Sequence, residues 1–459
     1  MVDEVPEGSR SLKWLPWAVL LIGAVFRLFR LGDWSLWEDE ETSIYFTLNP
    51  WRPFPRAFPL YFFLLGRLYA VTGVSVYAGR LLSALIGIAT LWLAYRCIRR
   101  FCGDRVALPA LVLLVLSPGH LFWSQSIRYY MLALAFQIAS IHAFLAALER
   151  PSVRLGVLTT VWLVLAVSTH TTAVLLVPVY SAVLAWHIAG TNRSWLWSRG
   201  GLVAAVGGFA LGVVAILSFA YLQPMFGHTQ GRGVHLLERF IAYTGLPAVA
   251  LMLLAPVLAR RAPAPFVFFL LLATIPVGAV LVMRFTGLWD VAWYHAFISV
   301  IGVAAMAGYG WESLSERAPQ WLLACTGVGV VGASLVLVVA YFTTAYGDRP
   351  RWREATACLP PTIGATTTGV DVFSPVPGVI AFYLGVPPGQ TMGHPLVQRA
   401  NWAAASGPLA RETWFVLESR LVPARSRRWL QDTCELRGTF PARMVIRDRS
   451  VLVYRCLPR

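Results

Sequence analysis

The chain has 459 residues, of which 57% are hydrophobic and only 13% are charged, and its mean hydropathy is +0.63. A soluble globular chain carries about 25% charged residues, so this composition excludes an ordinary water-soluble domain. The formal net charge is +16. Because many of the arginines flank apolar segments, we attribute this charge to membrane topology and expect no nucleic-acid partner.

Apolar runs recur along the chain as far as residue 341, and many reach the roughly 18 residues that cross a bilayer. Their lengths predict about eleven transmembrane helices in an all-α, polytopic membrane domain over residues 1–341. The predicted spans are 14–30, 80–98, 106–122, 130–148, 155–170, 172–188, 201–222, 240–259, 264–284, 295–311 and 319–341. The first span has no small-x-small site after it, so we expect an uncleaved signal anchor.

Arginines between the spans predict the orientation of the chain. The loop RCIRRFCGDR, after the second span, and later loops of the same parity are rich in arginine. Such residues are retained on the cytoplasmic side of a membrane. We therefore predict a multi-pass protein of the inner or plasma membrane with a cytoplasmic N-terminus. The loop 31–79 and the residues after 341 would then lie outside.

After residue 341 the sequence becomes polar and contains the β-like runs VDVFSP, ETWFVLES and SVLVYRC, with helix-like pieces between them. This pattern predicts a small extracytoplasmic α/β domain over residues 342–459. Cys434 and Cys456 can pair there in an oxidising compartment, or remain two thiols. The arginines of this domain, among them Arg349, are expected to form a solvated surface, with binding of anionic headgroups as the alternative.

The loop 31–79 begins with an acidic run inside SLWEDEETSIY. Its four consecutive acids are Glu38, Asp39, Glu40 and Glu41. A solvated charge cluster is the ordinary explanation, but these acids lie among Trp34, Leu36 and Trp37. The apolar stretch PLYFFLLGRLYAVTG follows, and it is predicted to be an interfacial or re-entrant helix. Both features favour acids that are held at the membrane surface.

Other turns predicted on the same face carry complementary groups. Arg128 lies in HLFWSQSIRYYMLAL beside Tyr129, and Arg80 begins the second span. Guanidinium groups bind phosphate bidentately, so Arg128, Arg80 and Tyr129 are candidates for binding a donor phosphate. A snorkelling interfacial arginine is the alternative. Further candidates for substrate contacts on this face are Glu38, Tyr61, Gln125, His170, Tyr294 and His295.

Ionisable groups gathered at the ends of membrane spans are costly and usually functional. A carboxylate can take a proton from an acceptor hydroxyl, and an arginine can stabilise the departing phosphate of a lipid-linked donor. Spacing alone does not identify that reaction. None of the six cysteines shows metal-ligand spacing, so no metal site is predicted and no cofactor is required, although a divalent cation is left open.

Five stretches resemble, in order, motifs of membrane glycosyltransferases of the protein O-mannosyltransferase and aminoarabinose-transferase group. They are SLWEDEETSIYF, FPLYFFLLGRLYAVTGVSVYAGRLLSALIG, SPGHLFWSQSIRYYMLAL, STHTT and DRPRWREATACL. The resemblance implies a GT-C fold, a polyprenyl-phosphate sugar donor, and transfer at the outer face, usually with inversion. Carried over by position, Asp39 matches the catalytic acidic residue, Glu40 its companion, and Arg128 an arginine near the donor phosphate.

The chain departs from these motifs in places. The group's histidine before the PLYY motif is absent, Ser126 replaces a glutamate, and an arginine–tyrosine pair is replaced by residues 293–295. We expect a glycosyltransferase with Asp39 as general base, facing Arg128 across a gap that fits one sugar, with a lipid, glycan or protein of the envelope as acceptor. The alternatives are a flippase or transporter of lipid-linked sugars, and a non-catalytic relative that acts as a scaffold.

Overall fold

The computed structural model describes residues 13–51, 59–190, 234–258, 263–286, 291–363, 370–400, 409–444 and 447–458. The predicted span 201–222 lies outside the described residues. Up to residue 342 the described chain is almost entirely helical. Its α-helices are α1 (Leu15–Leu28), α2 (Glu38–Leu48), α3 (Pro59–Thr72), α4 (Val76–Cys102), α5 (Asp104–Val115), α6 (Pro118–Ser124), α7 (Tyr130–Glu149), α8 (Val153–Thr169), α9 (Leu176–Gly190), α10 (Val234–Thr244), α11 (Leu246–Leu258), α12 (Ala264–Phe285), α13 (Ser299–Ser315) and α14 (Gln320–Phe342).

Each predicted span within the described residues falls on one or two of these helices. Among the described residues, five helices are long and apolar enough to cross a bilayer, or up to seven if each of two bent pairs counts as one span. The apolar helices α1, α3 and α8 are shorter. The prediction of a polytopic helical domain is therefore confirmed, whereas the count of about eleven spans is not, because several apolar segments form short or bent helices.

The two bent pairs meet at their breaks. α5 and α6 are bent by 61°, and α10 and α11 are bent by 96°. Ser117, at the first break, donates its hydroxyl to the carbonyl of Tyr243 at the second, over 3.0 Å. The fully buried Arg27 donates to the carbonyls of Leu114 and Val115, where α5 ends. These bonds satisfy backbone groups that a helix end otherwise leaves unpaired in an apolar environment.

The small residues of α13 let it pack closely against its neighbours. A Cβ added at Gly308 would lie 2.3 Å from the carbonyl oxygen of Val106 in α5, and one at Gly310 would lie 2.1 Å from that of Leu251 in α11. Only glycine allows two helix backbones to approach so closely in a membrane bundle. α13 therefore joins the bent pairs into one core.

After α14, the described residues form a five-stranded mixed sheet in the order β2-β1-β3-β7-β4 and a separate pair, β5 and β6. The strands are β1 (Val370–Ser374), β2 (Gln398–Arg399), β3 (Glu412–Glu418), β4 (Glu435–Phe440), β5 (Arg443–Met444), β6 (Arg447–Asp448) and β7 (Val451–Cys456). The helices here are α15 (Trp352–Thr356), α16 (Pro377–Tyr383) and α17 (Ala424–Thr433). β1 pairs in parallel with β2 and β3, and β7 pairs antiparallel with β3 and β4.

The sheet has two apolar faces. Phe415 and Tyr454 pack with Leu430 of α17 on one face. Trp414 and Val453 belong to the large core that includes the bundle. Because successive residues of a strand point to opposite faces, this alternation docks the sheet onto the helices. The predicted mixture of helices and strands in this part of the chain is confirmed, and we call it the outer domain after the predicted topology.

A disulfide joins Cys434, at the end of α17, to Cys456, at the end of β7. The alternative of two unpaired thiols is therefore wrong. Cys358 is a free, exposed cysteine in the same domain.

We expect the double substitution Cys434→Ser and Cys456→Ser to lower the free energy of unfolding of the outer domain by about 3 kcal/mol. The cross-link closes a loop with a sequence separation of 22, and such a loop loses entropy in the unfolded chain. Chemical unfolding of the full-length protein, followed by tryptophan fluorescence, measures the change. Cys358→Ser is the matched control, and equal stability of control and double variant would contradict the expectation.

Candidate functional site

The acidic run forms the first turn of α2, with Trp37 as the N-cap residue. The helix dipole favours carboxylates at this position. The four acids nevertheless differ in exposure. Glu40 and Glu41 are 0% and 4% exposed, whereas the side chains of Glu38 and Asp39 are 53% and 35% exposed. The run is therefore not one solvated cluster, because two of its acids are buried.

Glu40 lies between two fully buried arginines. Arg80 donates from Nε and Nη2 to the two carboxylate oxygens, at 2.9 and 2.6 Å, and the backbone N–H of Ile127 donates at 3.0 Å. The Nε of Arg349 lies 3.5 Å from Oε2. Burial alone would raise the pKa of Glu40, but the charges of Arg80 and Arg349 lower it. Both oxygens of Glu40 accept hydrogen bonds inside the protein, and the residue is 0% exposed, so it is not accessible to a substrate.

The hydrogen-bond donors of Arg80 are also used inside the protein. Besides its bonds to Glu40, it donates to the carbonyls of Leu31, Trp34 and Ser35, at 3.2, 3.0 and 3.0 Å. A guanidinium group has five N–H donors, and these contacts use all of them. Arg80 therefore has no N–H left for the predicted donor phosphate, and Glu40, the predicted companion of Asp39, pairs with an arginine. Both side chains instead hold the loop before α2 and the start of that helix.

Arg349 comes from the beginning of the outer domain and is fully buried, so the expectation of a solvated surface is wrong for this residue. Its Nη2 donates to the carbonyl of Gln125 and to the hydroxyl of Ser126, both at 2.8 Å, and its guanidinium lies over the ring of Phe122. Ser126 is the position where the resembled motif has a glutamate. A hydroxyl here accepts a hydrogen bond from the arginine that pairs with Glu40.

Two further residues predicted to contact substrate, Gln125 and Tyr61, form their described hydrogen bonds inside the protein. Gln125 is buried, accepts from Trp34 Nε1 and the Tyr341 hydroxyl at 3.1 Å, and donates to carbonyls at the end of α1. Tyr61 is also buried, and its hydroxyl lies 3.0 Å from Oγ of Ser83. Neither side chain is among the residues that line the two cavities described below, and their contacts favour a structural role.

Asp39 and Arg128 lie side by side. The distance from Arg128 Nη2 to Asp39 Oδ2 is 3.9 Å. Arg128 is buried, and its Nη1 donates to the carbonyl of Asp39 and to the hydroxyl of Ser43. Its Nη2 donates to the hydroxyl of Tyr129 at 2.8 Å, and the guanidinium lies over the Tyr129 ring. The predicted proximity is confirmed, but the predicted gap for a sugar between the two groups is not there.

A cavity of about 300 Å³ lies beside Asp39, and we call it the inner cavity. Its aromatic wall comes from the bundle and from α15, and includes Trp37, Trp123, Trp293, Tyr294 and Trp352. Its polar wall includes Asp348, Glu418 and Arg449 of the outer domain. Aromatic faces and carboxylates together suit a polar, ring-shaped ligand.

The predicted histidines lie next to this cavity. The rings of Tyr130 and His170 are 4.7 Å apart, those of Tyr129 and His170 are 5.1 Å apart, and those of Tyr294 and His295 are 4.7 Å apart. Three separate turns therefore bring their predicted residues into one aromatic cluster. Tyr294 lines the inner cavity.

The turn at residues 346–348 leads into the outer domain, and its conformation was not predicted from the sequence. Tyr346, Gly347 and Asp348 all have positive φ, at 49°, 63° and 54°. A Cβ at Gly347 would lie 2.9 Å from the Trp34 ring. Left-handed conformations of residues other than glycine cost about 1–3 kcal/mol each and persist where contacts enforce them. Here Arg449 donates to the carbonyl of Asp348 at 2.6 Å, which keeps Asp348 on the wall of the inner cavity.

Within the part of the chain that the structure describes, no three His, Cys, Asp or Glu side chains are grouped as metal ligands would be. The acids of α2 contact arginines and a threonine instead.

Comparison with known proteins supports the resemblance found in the sequence. Residues 52–217 match the family of dolichyl-phosphate-mannose-protein mannosyltransferases, which is less than half of the chain. No curated protein sequence matches. The structure is similar to that of ArnT from Cupriavidus metallidurans bound to undecaprenyl phosphate, with a TM-score of 0.57 and 14% identity over 97% of this chain and 98% of that chain.

Two other enzymes have a similar structure. Archaeal oligosaccharyltransferase AglB from Archaeoglobus fulgidus, in complex with an inhibitory peptide and a dolichol-phosphate, has a TM-score of 0.54 and 13% identity over 84% of this chain and 61% of that chain. A mutant of arabinofuranosyltransferase AftD from Mycobacteria has a TM-score of 0.50 and 15% identity over 97% and 41%. The chain therefore has the fold of GT-C glycosyltransferases, as the resemblance implied.

We expect Glu40→Gln to lower the free energy of unfolding by about 3–5 kcal/mol, because it leaves two buried guanidinium groups without their counter-charge. Glu38→Gln is the matched control on the same helical turn, since its exposed pair with Arg399 is worth under about 1 kcal/mol. Thermal unfolding of the purified full-length protein compares the two. Similar small losses in both variants would contradict the role of Glu40.

Proposed function

We propose that this protein is a membrane glycosyltransferase that moves a sugar from a polyprenyl-phosphate donor to an envelope acceptor at the outer face of the membrane. The observation that carries the proposal is the Asp39–Arg128 pair, in which an accessible carboxylate on the wall of the inner cavity lies 3.9 Å from a buried guanidinium. The shared fold supports it, since ArnT in that structure holds undecaprenyl phosphate and AglB holds a dolichol-phosphate.

Arg128 is the group that binds the donor phosphate. Three of its N–H donors are used by Asp39, Ser43 and Tyr129. Its Nε is buried without a hydrogen-bond partner among the described residues. That N–H and the remaining one on Nη2 can bind two phosphate oxygens together. The Tyr129 ring, 4.5 Å from the guanidinium carbon, keeps the group in one orientation.

Asp39 is the general base of a single displacement. It takes the proton of the acceptor hydroxyl, whose oxygen forms a bond to the anomeric carbon of the donor sugar. The bond between that carbon and the phosphate oxygen breaks, and the polyprenyl phosphate leaves with the electron pair. Arg128 offsets the negative charge that develops on the phosphate. Attack opposite the leaving group inverts the anomeric configuration.

The donor sugar occupies the inner cavity rather than the space between Asp39 and Arg128. Those two groups are too close to admit a ring, whereas the cavity beside them is walled by Trp37, Trp123 and Tyr294. Arg128 supplies the charge that a divalent cation would otherwise provide, so we propose that no metal is required.

Other observations favour transfer over the alternatives. The inner cavity lies where the bundle meets the outer domain, as a one-sided site would. The disulfide supports an extracytoplasmic outer domain, since disulfides persist in oxidising compartments. The intact Asp39–Arg128 contact favours an active enzyme over a scaffold. We propose that the protein lies in an inner or plasma membrane with its N-terminus on the cytoplasmic side.

We expect Asp39→Asn to lower the rate of sugar transfer by about 10²–10⁴-fold, because the amide cannot take the proton of the acceptor. The assay follows labelled sugar from polyprenyl-phosphate donors that are extracted, with acceptors, from the native membrane. Asp33→Asn is the control, since that side chain is 52% exposed and pairs only locally with Arg30. Near-wild-type transfer by Asp39→Asn would refute its role.

We expect Arg128→Gln to weaken the binding of undecaprenyl phosphate by about 10–100-fold, as the loss of a charge-assisted hydrogen-bonding partner predicts. Displacement of a fluorescent polyprenyl phosphate from the protein in nanodiscs measures the affinity. The matched control is Arg67→Gln, an exposed arginine of α3 that lies over the Phe63 ring. Equal affinity of the Arg128 variant and the control would count against a phosphate site here.

A further inference from the structure

A second cavity, of about 390 Å³, lies between α2 and the outer domain, and we call it the outer cavity. α2 contributes Glu38, Glu41 and Thr42, and the outer domain contributes residues from 376–379 and 392–399. Glu38 and Val376 line both the outer and the inner cavity, so the two cavities adjoin at these side chains. The volume is in the range of small-molecule sites.

Glu41 is the buried acid of this cavity, with 4% of its surface exposed. The hydroxyl of Thr391 donates a short hydrogen bond to its Oε1. Its Oε2 has no hydrogen-bond partner among the described residues, and the side chain lines the cavity. Burial, and the nearby charge of Glu38, raise the pKa of Glu41. Because this oxygen is open to the cavity, it can accept a hydrogen bond from a ligand hydroxyl there.

A glycine of the outer domain leaves the space that this carboxylate occupies. A Cβ at Gly378 would lie 2.8 Å from the carboxyl carbon and from both oxygens of Glu41. Any other residue at this position would push the carboxylate away. The position of Glu41 therefore depends on both sides of the cavity, from α2 and from the start of α16.

The charges of the outer cavity define what it can bind. Glu38 and Glu41 are its carboxylates, and Arg399, which pairs with Glu38 at 3.4 Å, is its arginine. Gln398 and Thr42 add hydrogen-bonding groups, and Val379 adds an apolar wall. Carboxylates accept hydrogen bonds from hydroxyls but repel phosphates and other carboxylates. The lining thus favours an uncharged, hydroxyl-rich ligand over an anionic one.

We propose that the outer cavity binds the acceptor, that the acceptor presents an uncharged sugar, and that Glu41 binds one of its hydroxyls through Oε2. This inference rests on the proposed glycosyl transfer, because it brings the acceptor to Glu38, the residue before the general base Asp39. The acceptor hydroxyl passes Glu38 to reach the donor sugar in the inner cavity. Glu41 determines acceptor specificity and takes no part in the proton transfer.

The test uses the full-length protein in nanodiscs and two sets of soluble probes. One set contains neutral trisaccharides of mannose, galactose and glucose, and the other contains uronic acid trisaccharides. Saturation-transfer NMR titrations measure binding. We expect a neutral trisaccharide to bind at least about tenfold more tightly than the uronic acid probes, because a charge-assisted hydrogen bond is gained and charge repulsion is avoided. This comparison needs only the wild-type protein.

Variants locate the binding. Glu41→Ala is expected to weaken the binding of the neutral trisaccharide by about 10–100-fold. Glu435→Ala is the control, since Glu435 is 60% exposed and pairs with Arg437 on β4. Gln398→Ala, at the exposed rim of the outer cavity, is expected to weaken binding as well, and it provides a second variant should Glu41→Ala fail to fold.

Three results would overturn the proposal: no neutral trisaccharide binds at millimolar concentration, uronic acid probes bind as well as neutral ones, or both cavity variants bind like the control. Undecaprenyl phosphate binding is measured in the same nanodiscs. If the wild-type protein binds that lipid but no trisaccharide, the acceptor site is wrong and the proposed transfer stands. If it fails to bind the lipid, the proposed function itself is wrong.

Discussion

The carboxylate of Glu40, enclosed by Arg80 and Arg349, is the interaction on which the rest of the site depends. Arg80 belongs to the helical bundle, Arg349 begins the outer domain, and Glu40 lies in the helix between them. Buried ion pairs contribute little net stability, because desolvation offsets their attraction, but removing one partner is strongly unfavourable. We infer that Glu40, Arg80 and Arg349 together position the first turn of α2, which carries Asp39, more than they stabilise the fold.

One helical turn places four neighbouring acids in four environments. Successive residues of an α-helix are rotated by about 100°, so consecutive side chains point in different directions. Glu38 points to the junction of the cavities, Asp39 to Arg128, Glu40 into the protein, and Glu41 to the outer domain. The four acids of this one turn therefore contact the bundle, the outer domain and both cavities.

The outer domain is part of the site and not a cover over it. Asp348 and Arg449 line the inner cavity, and Arg349 reaches past them to Glu40. The left-handed turn before Arg349 makes this reach possible, and Ser126 accepts the hydrogen bond that holds the guanidinium. Ser126, which replaces a glutamate of the resembled motif, thus fits the local structure, because its hydroxyl accepts this hydrogen bond.

The sequence by itself determined the helical membrane domain, the α/β character of the outer domain, and the proximity of Asp39 to Arg128. The length of an apolar run, the alternation of residues in a strand and the order of motifs can all be read from the sequence without tertiary information. Only the tertiary structure decided which groups Glu40, Arg80 and Gln125 contact, that Arg349 is buried, and that several apolar segments are short or bent helices. The burial of a charged group depends on distant partners, such as Arg349, which lies 309 positions after Glu40 in the chain. No local pattern of residues reports such partners.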